Sequence, residues 1–159
     1  MKKRKTIILD FETNEVGRIL IDVKVLTGNS LSHKTVKFRL DTGADYTIIG
    51  MDTLRHLGYT DEFLHSCPKE KYPATAANNT KVQLHYLENV SIMFNEREIQ
   101  GCRIYFSPNA KMRNLFGCNI LKYFNYMINY DFAEILLQER STMPQLSEGE
   151  KPIQVYEIG

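Results

Sequence analysis

The strongest constraint on the fold is a strand-like segment that stops abruptly at an aspartate, in the stretch VKFRLDTGADYTIIG at residues 36–50. Before Asp41, apolar residues alternate with basic ones, which is the period-two pattern of a half-buried β-strand. Gly43 then permits a tight bend, and Ile48 and Ile49 return the chain to the interior. Two interpretations fit this pattern: a simple turn in which Asp41 hydrogen-bonds its own backbone, or a carboxylate held at the tip of a loop for catalysis.

The same alternation recurs along the chain and predicts a domain that is mostly β. Turns at residues 77–80 and 95–98 contain Asn, which accepts left-handed backbone at low cost. One or two helical turns are expected at 51–57 and again around Ile120, with irregular chain at 61–71. This order is typical of an all-β, barrel-like domain with two small helices. Strands are predicted at residues 18–26, 35–40, 72–76, 82–86, 90–94, 99–106, 126–130 and 134–137.

Length, charge and the amino-terminal residues limit the classes of function. The 159 residues suffice for one domain with one core. A net charge of +1 offers no electrostatic basis for a nucleic acid or acidic membrane partner. The basic start MKKRK is followed only by TIIL before Asp10, which is too short for the apolar region of a signal peptide. No stretch approaches transmembrane length, so we expect a cytoplasmic protein.

The cysteines and histidines give no sign of a metal or cofactor site. The three cysteines form no CxxC pair, and their odd number and wide spacing suit a reducing compartment. The four histidines show no HExxH spacing. We therefore predict no metal and no cofactor.

Three separated stretches resemble the retropepsin-like aspartic proteases, the family of retroviral proteases and their cellular and bacterial relatives. LDTGADYTII, starting at Leu40, is similar to the family's catalytic loop. YPATAANNTKVQLHY, at 72–86, is similar to the flap hairpin of bacterial members, and NLFGCNILKYFNYMINYDFAEILL, at 114–137, resembles the segment that ends the domain. The resemblance covers roughly residues 18–138 and implies a protease domain there, with an N-terminal extension at 1–17 and a C-terminal tail at 139–159.

The resemblance also implies roles for individual residues. The catalytic group would be the carboxylate of Asp41, with Thr42 bracing the loop and Gly43 leaving room for substrate. The floor of the cleft and the flap tip would bind the peptide, through Ala44, Asp45, Ala76, Ala77 and Asn78.

Two departures from the retroviral pattern concern substrate affinity and flap opening. Retroviral members carry Arg after the glycine of the third motif, where it can pair with the acidic residue of the catalytic loop. Cys118 occupies that position here, so Asp45 lacks its expected partner. The retroviral flap is rich in glycine, whereas none occurs here between Gly58 and Gly101.

A single copy of the motif has a consequence for assembly. Peptide hydrolysis by this route needs two carboxylates facing one water, one to accept its proton and one to polarise the substrate carbonyl. The chain has one Asp-Thr-Gly and no Asp-Ser-Gly, so the second carboxylate must come from a second Asp41 across a twofold axis. We expect a homodimeric aspartic endopeptidase acting on peptides. The alternatives are a catalytically inactive peptide-binding or dimerisation module of the same fold, and an unrelated barrel with a simple turn at Asp41.

Overall fold

The structure is a computed structural model that describes residues 6–26, 33–76 and 78–158. Within these residues the chain forms short strands and three short helices. The strands are β1 (Thr6–Asp10), β2 (Glu12–Thr13), β3 (Ile19–Leu26), β4 (Lys34–Leu40), β5 (Ala74–Thr75), β6 (Lys81–Val82), β7 (His85–Phe94), β8 (Arg97–Phe106), β9 (Leu115–Phe116), β10 (Phe124–Asn129), β11 (Glu134–Glu139) and β12 (Gln154–Glu157); the helices are α1 (Met51–His56), α2 (Asp61–Ser66) and α3 (Cys118–Leu121).

The main sheet has the order β12-β8-β7-β3-β4-β9, with β2 paired to the start of β3. The residues of β3 alternate between buried and more exposed positions, as its sequence predicts, because successive side chains of a strand point to opposite faces. Neighbouring strands are antiparallel, except that β9 runs parallel to β4. This parallel pair joins Leu40 to Phe116 and therefore brings the carboxyl-terminal third of the chain beside the residue that precedes Asp41.

Two smaller sheets complete the fold. One has the order β1-β11-β10, and the other is the short hairpin of β5 and β6. Ile7 and Leu9 of β1 are buried in the same core cluster as the main sheet. Strands from outside the predicted 18–138 domain thus belong to the sheets, since β1 pairs with β11 and β12 pairs with β8. The domain boundaries themselves stay a prediction.

Most predicted elements are present, and three were wrong. The single strand predicted at 82–86 is divided, since β6 ends at Val82 and β7 begins at His85. The segment 61–71, expected to be irregular, begins with α2, because the hydroxyl of Thr60 accepts a hydrogen bond from the N–H of Phe63 and caps the helix. The strand predicted at 90–94 is not separate, since β7 runs through it with an irregularity at Asn89, where φ is 57°. The Asn turns are confirmed by the left-handed backbone of Asn79 and Asn95. The polar turn predicted at 27–33 lies almost wholly outside the described residues.

No helix in the described ranges is long and apolar enough to cross a membrane.

Candidate active site

The segment from Asp41 to Asp45 is a loop clamped between β4 and β9. The N–H of Asp41 donates to the carbonyl of Phe116 at 3.0 Å, which continues the parallel pairing by one residue. On the far side of the loop, the N–H of Ile48 donates to the carbonyl of Leu115 at 2.8 Å. Both ends of the loop are therefore held by the same short strand.

The Asp41 carboxylate is partly exposed, and each of its oxygens has a contact. Oδ1 accepts a hydrogen bond from the N–H of Gly43 at 3.0 Å, so the local turn that its sequence suggests is present. Oδ2 lies 3.4 Å from Nη2 of Arg39. The side chain keeps 31% of its surface exposed, which leaves room for a water or a substrate atom. A turn and an accessible carboxylate thus coexist in the same residue.

The loop packs against Gly117 more closely than any other residue type would allow. A Cβ at Gly117 would lie 2.3 Å from the carbonyl oxygen of Tyr46 and 2.9 Å from that of Ala44. The backbone N–H of Gly117 donates to Oγ1 of Thr47, which is fully buried, at 3.0 Å. This close approach explains physically why the third motif has glycine at position 117.

Asn119 links the loop to a third strand. Its Oδ1 accepts a hydrogen bond from the N–H of Thr47 at 2.6 Å, and its Nδ2 donates to the carbonyl of Arg103 on β8 at 2.7 Å. One amide therefore satisfies a donor and an acceptor in different elements. Asn119 therefore fixes the position of Thr47, just after the loop, relative to β8.

Cys118 contacts the loop where retroviral members have Arg. Its Sγ lies 3.1 Å from the carbonyl oxygen of Thr42, and its N–H donates to the carbonyl of Ala44 at 2.8 Å. Burial raises the pKa of the Cys118 thiol, and the negative charges of Asp45 and Asp41 raise it further. The thiol is therefore a neutral packing group at pH 7. Asp45 is exposed, and no basic side chain of the described ranges forms an ion pair with it.

The β5–β6 hairpin occupies the place predicted for the flap. At its tip, the N–H of Ala76 donates to the carbonyl of Thr80 at 2.8 Å, and Oδ1 of the exposed Asn78 accepts from the N–H of Thr80 at 3.1 Å. Ala77 lies outside the described residues. At its base, Ala74 and Val82 pack against a small cluster, as does Tyr46. The hairpin and the residue that follows the Asp41 loop therefore pack against the same apolar cluster.

Three residues of this site were missed by sequence reasoning: Arg39, Thr47 and Asn119. Arg39 falls on an outward-facing position of the strand alternation, so the sequence predicts that its side chain is solvated. Thr47 and Asn119 are joined across 72 residues, which no local pattern reveals. The one available signal is that Thr47 directly precedes the apolar pair Ile48 and Ile49, where the chain returns to the interior.

The described part of the chain contains no group of three or more His, Cys, Asp or Glu residues that could hold a metal ion.

Comparison with known proteins identifies the family. A family model described as "gag-polyprotein putative aspartyl protease" matches residues 29–123, which is more than half of the chain. The chain belongs to this aspartyl protease family. A search of the curated proteins gave no match.

A solved structure supports the fold of this aspartyl protease family member. The chain is similar to the crystal structure of a retropepsin-like aspartic protease from Rickettsia conorii, with a TM-score of 0.56 and 22% sequence identity. The match covers 87% of this chain and 97% of the other. The fold is therefore retropepsin-like, and the all-β prediction is confirmed.

Proposed function

We propose that the protein is a homodimeric aspartic endopeptidase whose nucleophilic water is activated by two Asp41 carboxylates, one from each subunit. The observation that carries the proposal is the Asp41 loop. It is fixed by Phe116, Gly117 and Asn119, and yet its carboxylate stays accessible. Membership of an aspartyl protease family and the retropepsin-like fold support the same chemistry.

The chemistry requires two acidic groups in different protonation states. One Asp41 carboxylate accepts a proton from the water as that water attacks the peptide carbonyl, while the other, protonated, donates a hydrogen bond to the carbonyl oxygen. Two like charges at close range do not both ionise, so the pair holds one shared proton, as in other aspartic proteases. Thr42 and Gly43 are exposed beside the carboxylate, where a second copy would meet them. Ala44, Asp45, Ala76, Ala77 and Asn78 would contact the peptide.

Exposed apolar side chains on the three-stranded sheet and its turn support a second copy as partner. Ile8 on β1 and Met127 on the edge strand β10 are 46% and 56% exposed. Both are in register with Leu136 of β11, so the three side chains form a row on one face of the sheet. Phe132, in the turn after β10, is 73% exposed. A contiguous exposed apolar row favours a protein–protein contact.

The first test is Asp41→Asn, with Asp22→Asn as the matched control. The amide is nearly the same size as the carboxylate but cannot accept the proton, so peptidase activity should fall by roughly 10²-fold or more. Asp22 is an exposed aspartate of β3 that lies 3.8 Å from Lys37, which also pairs with Glu12, so its replacement should leave activity unchanged. Activity of Asp41→Asn above about 1% of wild type would contradict the assignment.

The second test is a mixing experiment that asks whether the site is shared. Wild-type protein is equilibrated with a ninefold excess of Asp41→Asn, and cleavage is measured per wild-type protomer. If each site needs two Asp41 carboxylates, most wild-type protomers enter inactive mixed dimers, and this specific activity falls about tenfold. If each chain acts alone, it stays constant. A constant value would exclude the shared site.

A second candidate, a peptide-binding module of the same fold without catalysis, is favoured by one observation. No glycine occurs in the chain between Gly58 and Gly101, although the retroviral flap is rich in glycine. If this candidate is correct, peptides bind equally well to wild type and Asp41→Asn, and neither cleaves them.

A further inference from the structure

A cavity of about 650 Å³ lies between α1, the outer face of β3 and β4, and the segment 108–114. Its lining is strongly basic. Five cationic side chains and a single acidic one, Asp52, contribute to it; the cationic ones are Lys37, Arg39, Arg55, Lys111 and Arg113.

Two of these cations are already neutralised within the chain. Lys37 forms an ion pair with Glu12, and Arg55 pairs with Asp61 at 2.8 Å and with Asp52 at 3.0 Å. These pairs lie on exposed side chains and neutralise two of the five cations of the lining.

Two of the remaining cations, Lys111 and Arg113, lack such partners in the described part of the chain. Lys111 and Arg113 are exposed, and neither forms an ion pair or a hydrogen bond through its side chain with the described part of the chain. Both follow the turn after β8 and precede β9, the strand that holds the catalytic loop. An anion entering the cavity would therefore meet uncompensated positive charge.

Arg39 joins this cavity to the catalytic carboxylate. Its backbone N–H donates to the carbonyl of Asn114 at 2.9 Å, and it is in register with Leu115, so its position on β4 is fixed. Its side chain is 23% exposed, lines the cavity, and reaches to 3.4 Å from Oδ2 of Asp41. A guanidinium has five N–H donors in a planar fork, and the contact with Asp41 uses one nitrogen. The remaining donors are available to a second carboxylate.

We propose that this cavity is a substrate subsite for an acidic side chain, and that Arg39 is the residue that selects it. The inference rests on the proposed function, because Asp41 fixes where the scissile peptide bond lies. A residue next to that bond then presents its side chain to Arg39, with Lys111 and Arg113 adding positive charge. The preferred substrates are peptides with Asp or Glu beside the cleaved bond. Arginine suits the role because it remains charged at all working pH values and binds carboxylates through two parallel hydrogen bonds.

The test begins by identifying the bonds that the wild-type protein cleaves in a proteome-derived peptide library. Peptide pairs that differ only by Glu or Gln are then made for each position around a cleaved bond, and kcat/KM is measured for each peptide. At one position, kcat/KM should be at least about tenfold higher for Glu, the ratio given by one charge-assisted hydrogen bond. In Arg39→Leu this Glu/Gln ratio should fall to about 1, whatever the absolute rate of the variant. Arg18→Leu removes an exposed arginine that does not line the cavity and should keep the wild-type ratio.

The outcomes separate this inference from the proposed function. A wild-type enzyme that cleaves peptides without preferring Glu at any position overturns the acidic subsite and leaves the protease assignment intact. A Glu/Gln ratio that survives in Arg39→Leu overturns the role of Arg39. If wild type cleaves nothing, the protease assignment fails, and fluorescence anisotropy is used to compare the binding of a labelled random peptide library that contains Glu with the same library in which Gln replaces Glu. Tenfold tighter binding of the Glu library that is lost in Arg39→Leu then supports the subsite, and equal binding refutes it.

Discussion

Replacing Gly117 by alanine tests whether the Asp41 loop is held by close backbone contact. Gly117 has φ of −117° and ψ of −172°, which alanine adopts without strain, so backbone conformation is not at issue. The added Cβ would instead lie 2.3 Å from the carbonyl oxygen and 2.6 Å from the carbonyl carbon of Tyr46. Both atoms belong to the loop backbone and cannot rotate away as a side chain would. The loop has to move.

The expected cost follows from these contacts. Overpacking a well-packed site costs about 1–3 kcal/mol. The displacement also weakens the hydrogen bonds from the N–H of Gly117 to Thr47 and from the N–H of Cys118 to Ala44, at about 1 kcal/mol each when lost. We expect the free energy of unfolding to fall by about 2–4 kcal/mol, which for a chain of this length lowers Tm by roughly 5–15 °C.

The measurement is thermal or urea unfolding of wild type and Gly117→Ala at one fixed protomer concentration, since association changes apparent stability. Gly43→Ala is the matched control for stability. A Cβ there would meet only Oδ1 of Asp41, at 3.4 Å, an ordinary contact, so its stability should stay close to that of wild type. If Gly117→Ala lies within about 0.5 kcal/mol of wild type, the loop is not held by this contact and the reasoning is refuted.

Three further outcomes are expected. Thr47→Val removes the buried acceptor of the Gly117 N–H and should lower the free energy of unfolding by about 1–3 kcal/mol, measured by urea unfolding; a neutral effect would contradict that bond. The Cys118 thiol should react slowly with iodoacetamide at pH 8, because burial and then the charges of Asp45 and Asp41 raise its pKa. In Asp45→Asn the reaction rate should increase, and an unchanged rate would exclude the charge of Asp45 as a cause. Amide hydrogen exchange at Asn79 should be fast in the free protein and slow with a bound peptide inhibitor, and full protection in the free protein would contradict a mobile flap.

The strands and the fold class could be predicted because their signals are local. The alternation in β3 and β4 repeats every two residues, and the turns at Asn79 and Asn95 rely on a backbone preference of Asn itself. The helix α2 was missed even though Thr60 before two acidic residues is a recognised helix start, because no apolar periodicity follows it.

Of the candidate site, only the Asp41 motif could be predicted from the sequence. Asp41 and the loop around it were assigned by resemblance, and their catalytic roles stay predictions. Thr47 and Asn119, which hold the loop, could not be predicted from the sequence, since their hydrogen bonds depend on the parallel pairing of β4 with β9. Arg39 was read as a solvated strand residue because nothing in an alternating pattern distinguishes an exposed face from the wall of a cavity.

The Gly117 contact joins residues that are far apart in the sequence, and this determines when the Asp41 loop can become ordered during synthesis. The hydrogen bond from Gly117 to Thr47 spans 70 residues, and the contact of Cys118 with Thr42 spans 76. A ribosome that adds about 5–20 residues per second takes roughly 4–15 s between the emergence of the Asp41 loop and that of the segment that clamps it. During that interval the nascent chain carries its Asp-Thr-Gly without the framework that positions it. The Asp41 loop can therefore take up its final geometry only after residues 117 and 118 have left the ribosome.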